Sequence, residues 1–401
     1  MSDKVFITGT GIISSIGYNY TEVVSSLESS RSGIGRLSLL DSIYKDEIPM
    51  AEVKLSNADL KELANVPGNG IFSRTSLLAI IASRQALMDA GIEDASEYRT
   101  GLISASTVGG IDKTERFFSK FVKDRNHGRL RDVLTHDMGD STEKIADTFG
   151  IRDFVTTIST ACSSSANAIL FGSRLIENGM LDRALVGGVD ALTLFTINGF
   201  NSLMILDRNG CRPFDEERNG LTLGEGAAYL MLESESVVSK TGKKALCEVR
   251  GYGNACDAFH QTASSPGGDG AYISMNKAFL KAGITPDRID YINAHGTGTK
   301  NNDLSEGRAL ERVFAGCVPP VSSTKSYTGH TLGAAGAIEA VFSVIAIERQ
   351  YIWPNPGFKT KMNELEFTPV TELRKDLPVR NVLSNSFGFG GNNTSLIFSK
   401  C

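Results

Sequence analysis

Val155-Thr156-Thr157-Ile158-Ser159-Thr160-Ala161-Cys162-Ser163-Ser164-Ser165-Ala166-Asn167-Ala168-Ile169 decides how the rest of the chain reads. Val155 to Ile158 have the β-branched character of the end of a buried strand. Small residues then turn the chain, and Asn167 to Leu175 continue with helical periodicity. Cys162 is thereby placed where a strand hands over to the first turn of a helix. Unpaired backbone N–H groups and the positive end of the helix dipole point at such a position. That setting is expected to lower the thiol pKa, and the thiolate is the reactive form. Small neighbours leave room for a bulky group on sulfur. On this segment alone, a buried and inert cysteine stays open as the alternative.

The composition of the 401 residues, 41% hydrophobic and 22% charged, is that of a globular chain able to bury a sizeable core. A formal net charge of −5 argues against a general nucleic-acid or membrane-surface binder. Cys162, Cys211, Cys247, Cys256, Cys317 and Cys401 are scattered, with no CxxC pair and no short-spaced Cys/His cluster. Neither a zinc site nor a disulfide framework is therefore expected. No apolar run reaches the length of a membrane span. Met1-Ser2-Asp3-Lys4 leads straight into a strand without a signal-peptide pattern, so the expected location is cytoplasmic.

Val5 to Ile13 reads as a strand with a glycine-rich turn. Gly9-x-Gly11 is followed by Ser14 where a dinucleotide fingerprint needs its third glycine, so a tight turn after a central strand is the better reading. Arg36 to Leu60 is mixed and polar, as in a surface loop. Ser73 to Ala90 reads as an amphipathic helix with Leu77, Leu78, Ile81, Ala82, Ala86 and Leu87 inward, closed by Gly91. Thr100 to Ala105, Arg183 to Asp190, the segment leading from Leu223 to Leu232, Ala245 to Tyr252, Ile289 to Asn293 and Val382 to Phe387 read as further strands. A weak internal repeat joins Ile158 to Cys162 plus Ser165 to Ala168 with Val321 to Lys325 plus Gly333 to Ala337. Both pieces are a strand, a polar turn and a helix of small residues. Alternating strands and helices in two similar halves imply an α/β fold with two related sheets, whose active residues gather where the strand ends meet.

Of five histidines, His127 and His136 lie in polar surroundings and His260 in a loop, which suits surface or structural roles. His295 and His330 each follow a buried strand among Gly and Thr. Two such histidines together with a helix-start cysteine favour nucleophilic catalysis.

Thr160-Ala161-Cys162-Ser163-Ser164-Ser165, Asn293-Ala294-His295-Gly296-Thr297-Gly298-Thr299, Ser323-Thr324-Lys325-Ser326-Tyr327-Thr328-Gly329-His330 and Asn385-Ser386-Phe387-Gly388-Phe389-Gly390-Gly391 together resemble, in order, the motifs of β-ketoacyl-acyl-carrier-protein synthases of the elongating type II. The resemblance spans nearly the whole chain. It implies an α/β, thiolase-like fold whose two pseudo-repeated halves, 1–242 and 243–401, form a five-layered α-β-α-β-α core in one domain, 1–401. It also implies an acyltransferase in fatty acid biosynthesis. Cys162 would accept an acyl group, malonyl carrier protein would lose CO₂, and the carbanion would attack the acyl thioester in a Claisen condensation.

By the same resemblance, His295 and His330 supply hydrogen-bond donors to the enolate, and the N–H groups of Cys162 and Phe389 form an oxyanion hole. Lys325 orders the site through an acidic neighbour, with Glu306 and Glu339 as candidates. Thr297 and Thr299 bond the phosphopantetheine arm. Phe389 acts as a gate, swung by Gly388, Gly390 and Gly391. No cofactor or catalytic metal is implied, since the phosphopantetheine arrives on acyl carrier protein, and a homodimer is expected.

Cys162 speaks against a nucleophile-free chain-length factor, and paired histidines against the initiating Cys-His-Asn type. Cys401 lies outside any second thiolase motif. Asp112 to Gly150 is more charged than this family leads one to expect, which keeps two alternatives open: a specialised polyene or polyketide-type lipid pathway, and a non-catalytic partner subunit. Arg208 matches an arginine that faces carrier protein in the family. It joins Lys120, Lys123 and Arg129 of the basic run 113–131 as docking candidates.

Overall fold

A computed structural model describes residues 3–401. Its strands are β1 (Val5–Ser14), β2 (Thr100–Ala105), β3 (Phe154–Ile158), β4 (Arg183–Asp190), β5 (Gly226–Ser234), β6 (Cys247–Cys256), β7 (Tyr291–Asn293), β8 (Val321–Ser322), β9 (Asn381–Phe387) and β10 (Asn392–Ser399). They run in the order β3-β2-β4-β5-β1-β6-β10-β9-β7-β8. Numbering the second five in the sense of the first gives the same order reflected, with β6 standing for β1 and β8 for β3. The two related sheets expected from the sequence are thus continuous. Among the described residues, Phe6 opposite Glu248 and Ile7 opposite Cys247 are the strand pairs that join them.

Helices Ser164–Glu177 and Ala335–Arg349 pack against each other and against strands of both half-sheets. Ala335 to Ile347 is buried without interruption, because this helix has apolar neighbours on every side. Helix Arg74–Asp89 covers β1, β4 and β5 from outside, and helix Asp269–Ala282 covers β6 and β10. The result is the α-β-α-β-α layering. It aims the carboxyl ends of β3, β7, β8 and β9, each followed by a short turn, at one region.

Three local expectations need correction. Gly9 and Gly11 lie within β1 rather than in a turn. A Cβ on them would sit 2.4 Å from the Ala86 carbonyl oxygen and 2.0 Å from that of Ala82, so their absent side chains let helix Arg74–Asp89 lie directly on the strand. That helix, capped by Ser73, also buries Arg74, Thr75, Ser76, Ala79, Ile80 and Ser83, so it is enclosed rather than amphipathic. Within 36–60, Ile48, Met50, Glu52 and Val53 are buried, because Ala51 pairs with the Leu223–Glu225 segment beneath the site.

Candidate active site

Cys162 lies two residues before helix Ser164–Glu177, in a turn where Ala161 has φ +54°. A non-glycine residue in that region costs free energy, so the surroundings hold it there. Ser164 Oγ bonds Thr160 N at 2.8 Å and the Ala161 carbonyl at 2.5 Å. Asn392 Oδ1 accepts from Ser163 Oγ (2.8 Å), Asn167 Nδ2 (2.9 Å) and Asn254 Nδ2 (2.8 Å), which ties the cysteine turn to the start of β10. Nothing in the sequence pattern singled out Asn392 or Asn254, because a polar hub shared by distant strands leaves no periodic trace.

His330 follows β8 through the short helix Lys325–Thr328. Its backbone is pinned to the Thr222–Gly224 segment: its N–H donates to Thr222 O (2.6 Å) and its carbonyl accepts from Gly224 N (3.0 Å). The ring Nε2 stands 3.0 Å from Cys162 Sγ, and Nδ1 has no hydrogen-bond partner among the described residues. His295 stands edge-on to His330, with ring centroids 5.3 Å apart. Lys325 Nζ reaches His295 Nδ1 at 3.1 Å and also bonds Glu339. A lysine ammonium can only donate, so Nδ1 accepts and the imidazole proton sits on Nε2. His295 thereby presents a donor to the cavity it lines.

The two acidic candidates divide. Glu339 is the partner of Lys325, and burial pushes its carboxyl up to about 7 against the pull of that lysine. Glu306 instead accepts from the N–H groups of His295 (2.9 Å) and Gly296 (2.8 Å) and from Asn385 Nδ2 (3.2 Å), so it shapes the histidine loop. Asp303 and Asp190 do similar work unannounced by the sequence. Asp303 takes the N–H groups of Thr297, Gly298 and Phe214, and Asp190 those of Thr107, Val108 and Gly333.

The expected depression of the thiol pKa does not hold. Burial pushes Cys162 up to about 11, and the Phe389 N–H, the Lys325 charge and its own N–H only partly oppose this. Desolvation outweighs the helix dipole because the sulfur lies outside the helix and is almost shut off from water. Burial also drives His295 and His330 well below the usual histidine range, helped by the Lys325 charge. At neutral pH the resting site is therefore a thiol beside two neutral imidazoles. Such a thiol needs a base at contact distance, and His330 Nε2 is placed to be one.

Cys162, His295, His330, Phe387 and Phe389 line a cavity of about 100 Å³ that opens to solvent. Phe200, Ile205 and Leu221 form an apolar wall, and Thr262, Ser264, Thr297, Thr299, Asn301 and Asn302 a polar one. Thr297 Oγ1 and Thr299 Oγ1 are 3.0 Å apart. Phe389 lies in the turn Phe389–Gly391 and stacks on Phe200, centroids 6.1 Å apart. Gly390, at φ +82°, has open space where a Cβ would be, and its N–H is held by Gln261 O at 2.7 Å. Arg208 is three residues beyond Ile205 and pairs with Glu47 at 2.6 Å, both being exposed. Lys120, Lys123 and Arg129 are exposed on or just past helix Ile111–Lys123 and do not line the cavity.

A buried cysteine with two neutral imidazoles, on a pseudo-symmetric five-layered core, defines a thiolase-fold acyltransferase. Residues 2–237 match the family model for the N-terminal domain of beta-ketoacyl synthase, and 246–359 that for its C-terminal domain. The chain is 33% identical over 411 residues to 3-oxoacyl-[acyl-carrier-protein] synthase 2 of Staphylococcus aureus (strain N315), covering 99% of this chain and 98% of that one. Among solved structures it resembles the ishigamide ketosynthase/chain length factor, with a TM-score of 0.94, 31% identity and full coverage of both chains. It also resembles the ketosynthase (ApeO) in complex with its chain length factor (ApeC) from Xenorhabdus doucetiae, with a TM-score of 0.86, 32% identity, and 100% and 98% coverage. The chain belongs to the beta-ketoacyl synthase family. It is a condensing acyltransferase of the synthase 2 kind, whose chemistry needs no cofactor of its own.

Proposed function

We propose that this synthase lengthens an acyl chain by two carbons in fatty acid biosynthesis, taking both substrates from acyl carrier protein. The contact of Cys162 Sγ with His330 Nε2 carries the reading. His330 takes the thiol proton, and the thiolate attacks the carrier thioester. The N–H groups of Cys162 and Phe389 hold the resulting oxyanion. On its collapse the C–S bond to the carrier breaks, the carrier thiolate leaves with the proton His330 Nε2 had accepted, and the remaining proton of His330 shifts from its unpartnered Nδ1 to Nε2. Malonyl carrier protein then enters past the Phe389 gate, with its phosphopantetheine arm along Thr297 and Thr299. Loss of CO₂ leaves its electron pair in an enolate whose oxygen is held by His295 and His330. The enolate carbon attacks the acyl carbonyl, a carbon–carbon bond forms, and the Cys162 thiolate is expelled. Lys325, through Glu339, fixes the tautomer of His295, and Glu306 fixes its loop. Incubation with acyl and isotopically labelled malonyl carrier proteins tests this. A labelled β-ketoacyl product two carbons longer is expected, and malonyl decarboxylation without chain extension would refute it.

The same side chains weigh against a non-catalytic partner subunit. A specialised polyene or polyketide-type pathway is the second reading, favoured by the likeness to two ketosynthases solved with chain length factors. We place the subunit contact, with a second copy or with such a factor, on the exposed apolar side chains Phe118, Val122, Leu130 and Leu134 and on the free edge of β3 at Val155. All five are exposed, and β3 has a neighbour on one side only. Carrier docking is then assigned to Arg208, near the cavity wall, with Lys120, Lys123 and Arg129 at the edge of the subunit face. The chain is read as one domain whose halves divide near 242. Among the described residues no helix is long and apolar enough to cross a membrane, in keeping with work in the cytoplasm.

A further inference from the structure

The donor atoms of Cys162, His295 and His330, one from each residue, all lie within 4.8 Å of one another, and all three side chains are buried. A thiol and two neutral imidazoles at this spacing are the donor set that borderline-soft divalent cations select, and a carboxylate-loving ion such as Mg²⁺ finds none of its ligands. The adjoining cavity leaves space for water as a fourth ligand. We propose that the resting site also binds Zn²⁺, reversibly, as a three-ligand site that locks the enzyme before acylation.

The proton balance is closed by solvent and groups already in contact. The Cys162 S–H bond breaks, its proton leaves to solvent, and the sulfur lone pair binds the cation. His330 coordinates through Nε2, and its proton resides on the unpartnered Nδ1. His295 coordinates through the nitrogen that Lys325 leaves free; the proton on that nitrogen leaves to solvent like that of Cys162, and Nδ1 goes on accepting from Lys325. Nothing is oxidised or reduced. Acyl transfer to Cys162 removes the sulfur charge and forbids the site, so cation and acyl group compete. The proposal rests on the geometry of the three side chains and not on which acyl chain is condensed.

The test uses the full metal-free chain with Co²⁺ as a spectroscopic stand-in for Zn²⁺. One Co²⁺ per chain is expected, with a thiolate-to-metal charge-transfer band that Zn²⁺ displaces. The band should vanish in Cys162→Ala, and also in wild type pre-acylated at Cys162. On unmodified protein, Zn²⁺ at about ten times its Kd should slow iodoacetamide alkylation of Cys162 by about tenfold, with recovery on adding a chelator. A band that persists in Cys162→Ala, or alkylation indifferent to Zn²⁺, overturns the proposal. An acyl adduct on Cys162 without either metal signal would overturn the metal site alone and leave the condensation reading intact.

Discussion

Replacing His295 by Ala should separate the two halves of the reaction. His295 contributes one donor, on Nε2, because Lys325 occupies Nδ1 at 3.1 Å. That donor faces the cavity, whereas the contact with Cys162 Sγ belongs to His330. Losing one preorganised donor to a developing oxyanion costs about 2.7–4 kcal/mol, or roughly 10²–10³ in rate. Decarboxylation of malonyl carrier protein should fall by that factor. Acylation of Cys162, which relies on His330 and two backbone N–H groups, should change by only about threefold. The substitution also leaves Lys325 without one acceptor, at a stability cost of about 1–3 kcal/mol, so thermal unfolding is followed alongside. Stopped acylation time courses read by intact mass, and CO₂ release from malonyl carrier protein, give the two rates separately. Equal losses in both rates, with unfolding unchanged, would refute the assignment of His295 to the second half-reaction.

Gly11→Ala places a Cβ 2.0 Å from the Ala82 carbonyl and should destabilise the fold by about 3 kcal/mol or more in denaturant titration; a loss within 0.5 kcal/mol, the range of a surface substitution, would contradict the close approach. With the thiol pushed up to about 11, site-resolved alkylation of Cys162 should rise about tenfold per pH unit from 7 to 10, since the deprotonated fraction does; levelling near 8.5, as for a free cysteine, would show that burial does not govern it. Phe118→Glu, on the exposed apolar face, should shift sedimentation toward monomer while leaving helix content unchanged; an unaltered oligomer would move the subunit contact elsewhere.

Much of the site was legible because its chemistry sits in contiguous motifs. Cys162, His295, Lys325 and His330 each follow a strand directly or through one short turn, and alternation of strands with small-residue helices brings such strand ends together. Alternation also gave two related sheets, whereas the five-layer order came from the family resemblance that the motifs carry. The thiol's ionisation was not: a helix dipole can be inferred from local sequence, but the burial that raises the Cys162 thiol, and the Phe389 N–H and Lys325 charge that partly oppose it, depend on segments far away in the chain. Lys325 had two candidate partners because Glu306 and Glu339 are equally plausible by composition, and only the fold decides that one holds backbone N–H groups and the other the lysine. Gly9 and Gly11 resembled a turn because a strand that needs missing side chains has the same composition as a loop. The basic run 113–131 also carries the exposed apolar side chains Phe118, Phe121, Val122 and Leu130, which its charge pattern concealed.

The central claim is that Cys162 carries the acyl group, and intact mass measures it most directly. Purified protein incubated with acyl carrier proteins of graded chain length should gain the mass of one acyl group, and the Cys162→Ala variant should gain none. The favoured length would then separate a general fatty acid synthase from a specialised one. An adduct that survives in Cys162→Ala, or that maps to the exposed Cys256, Cys317 or Cys401, would contradict the account.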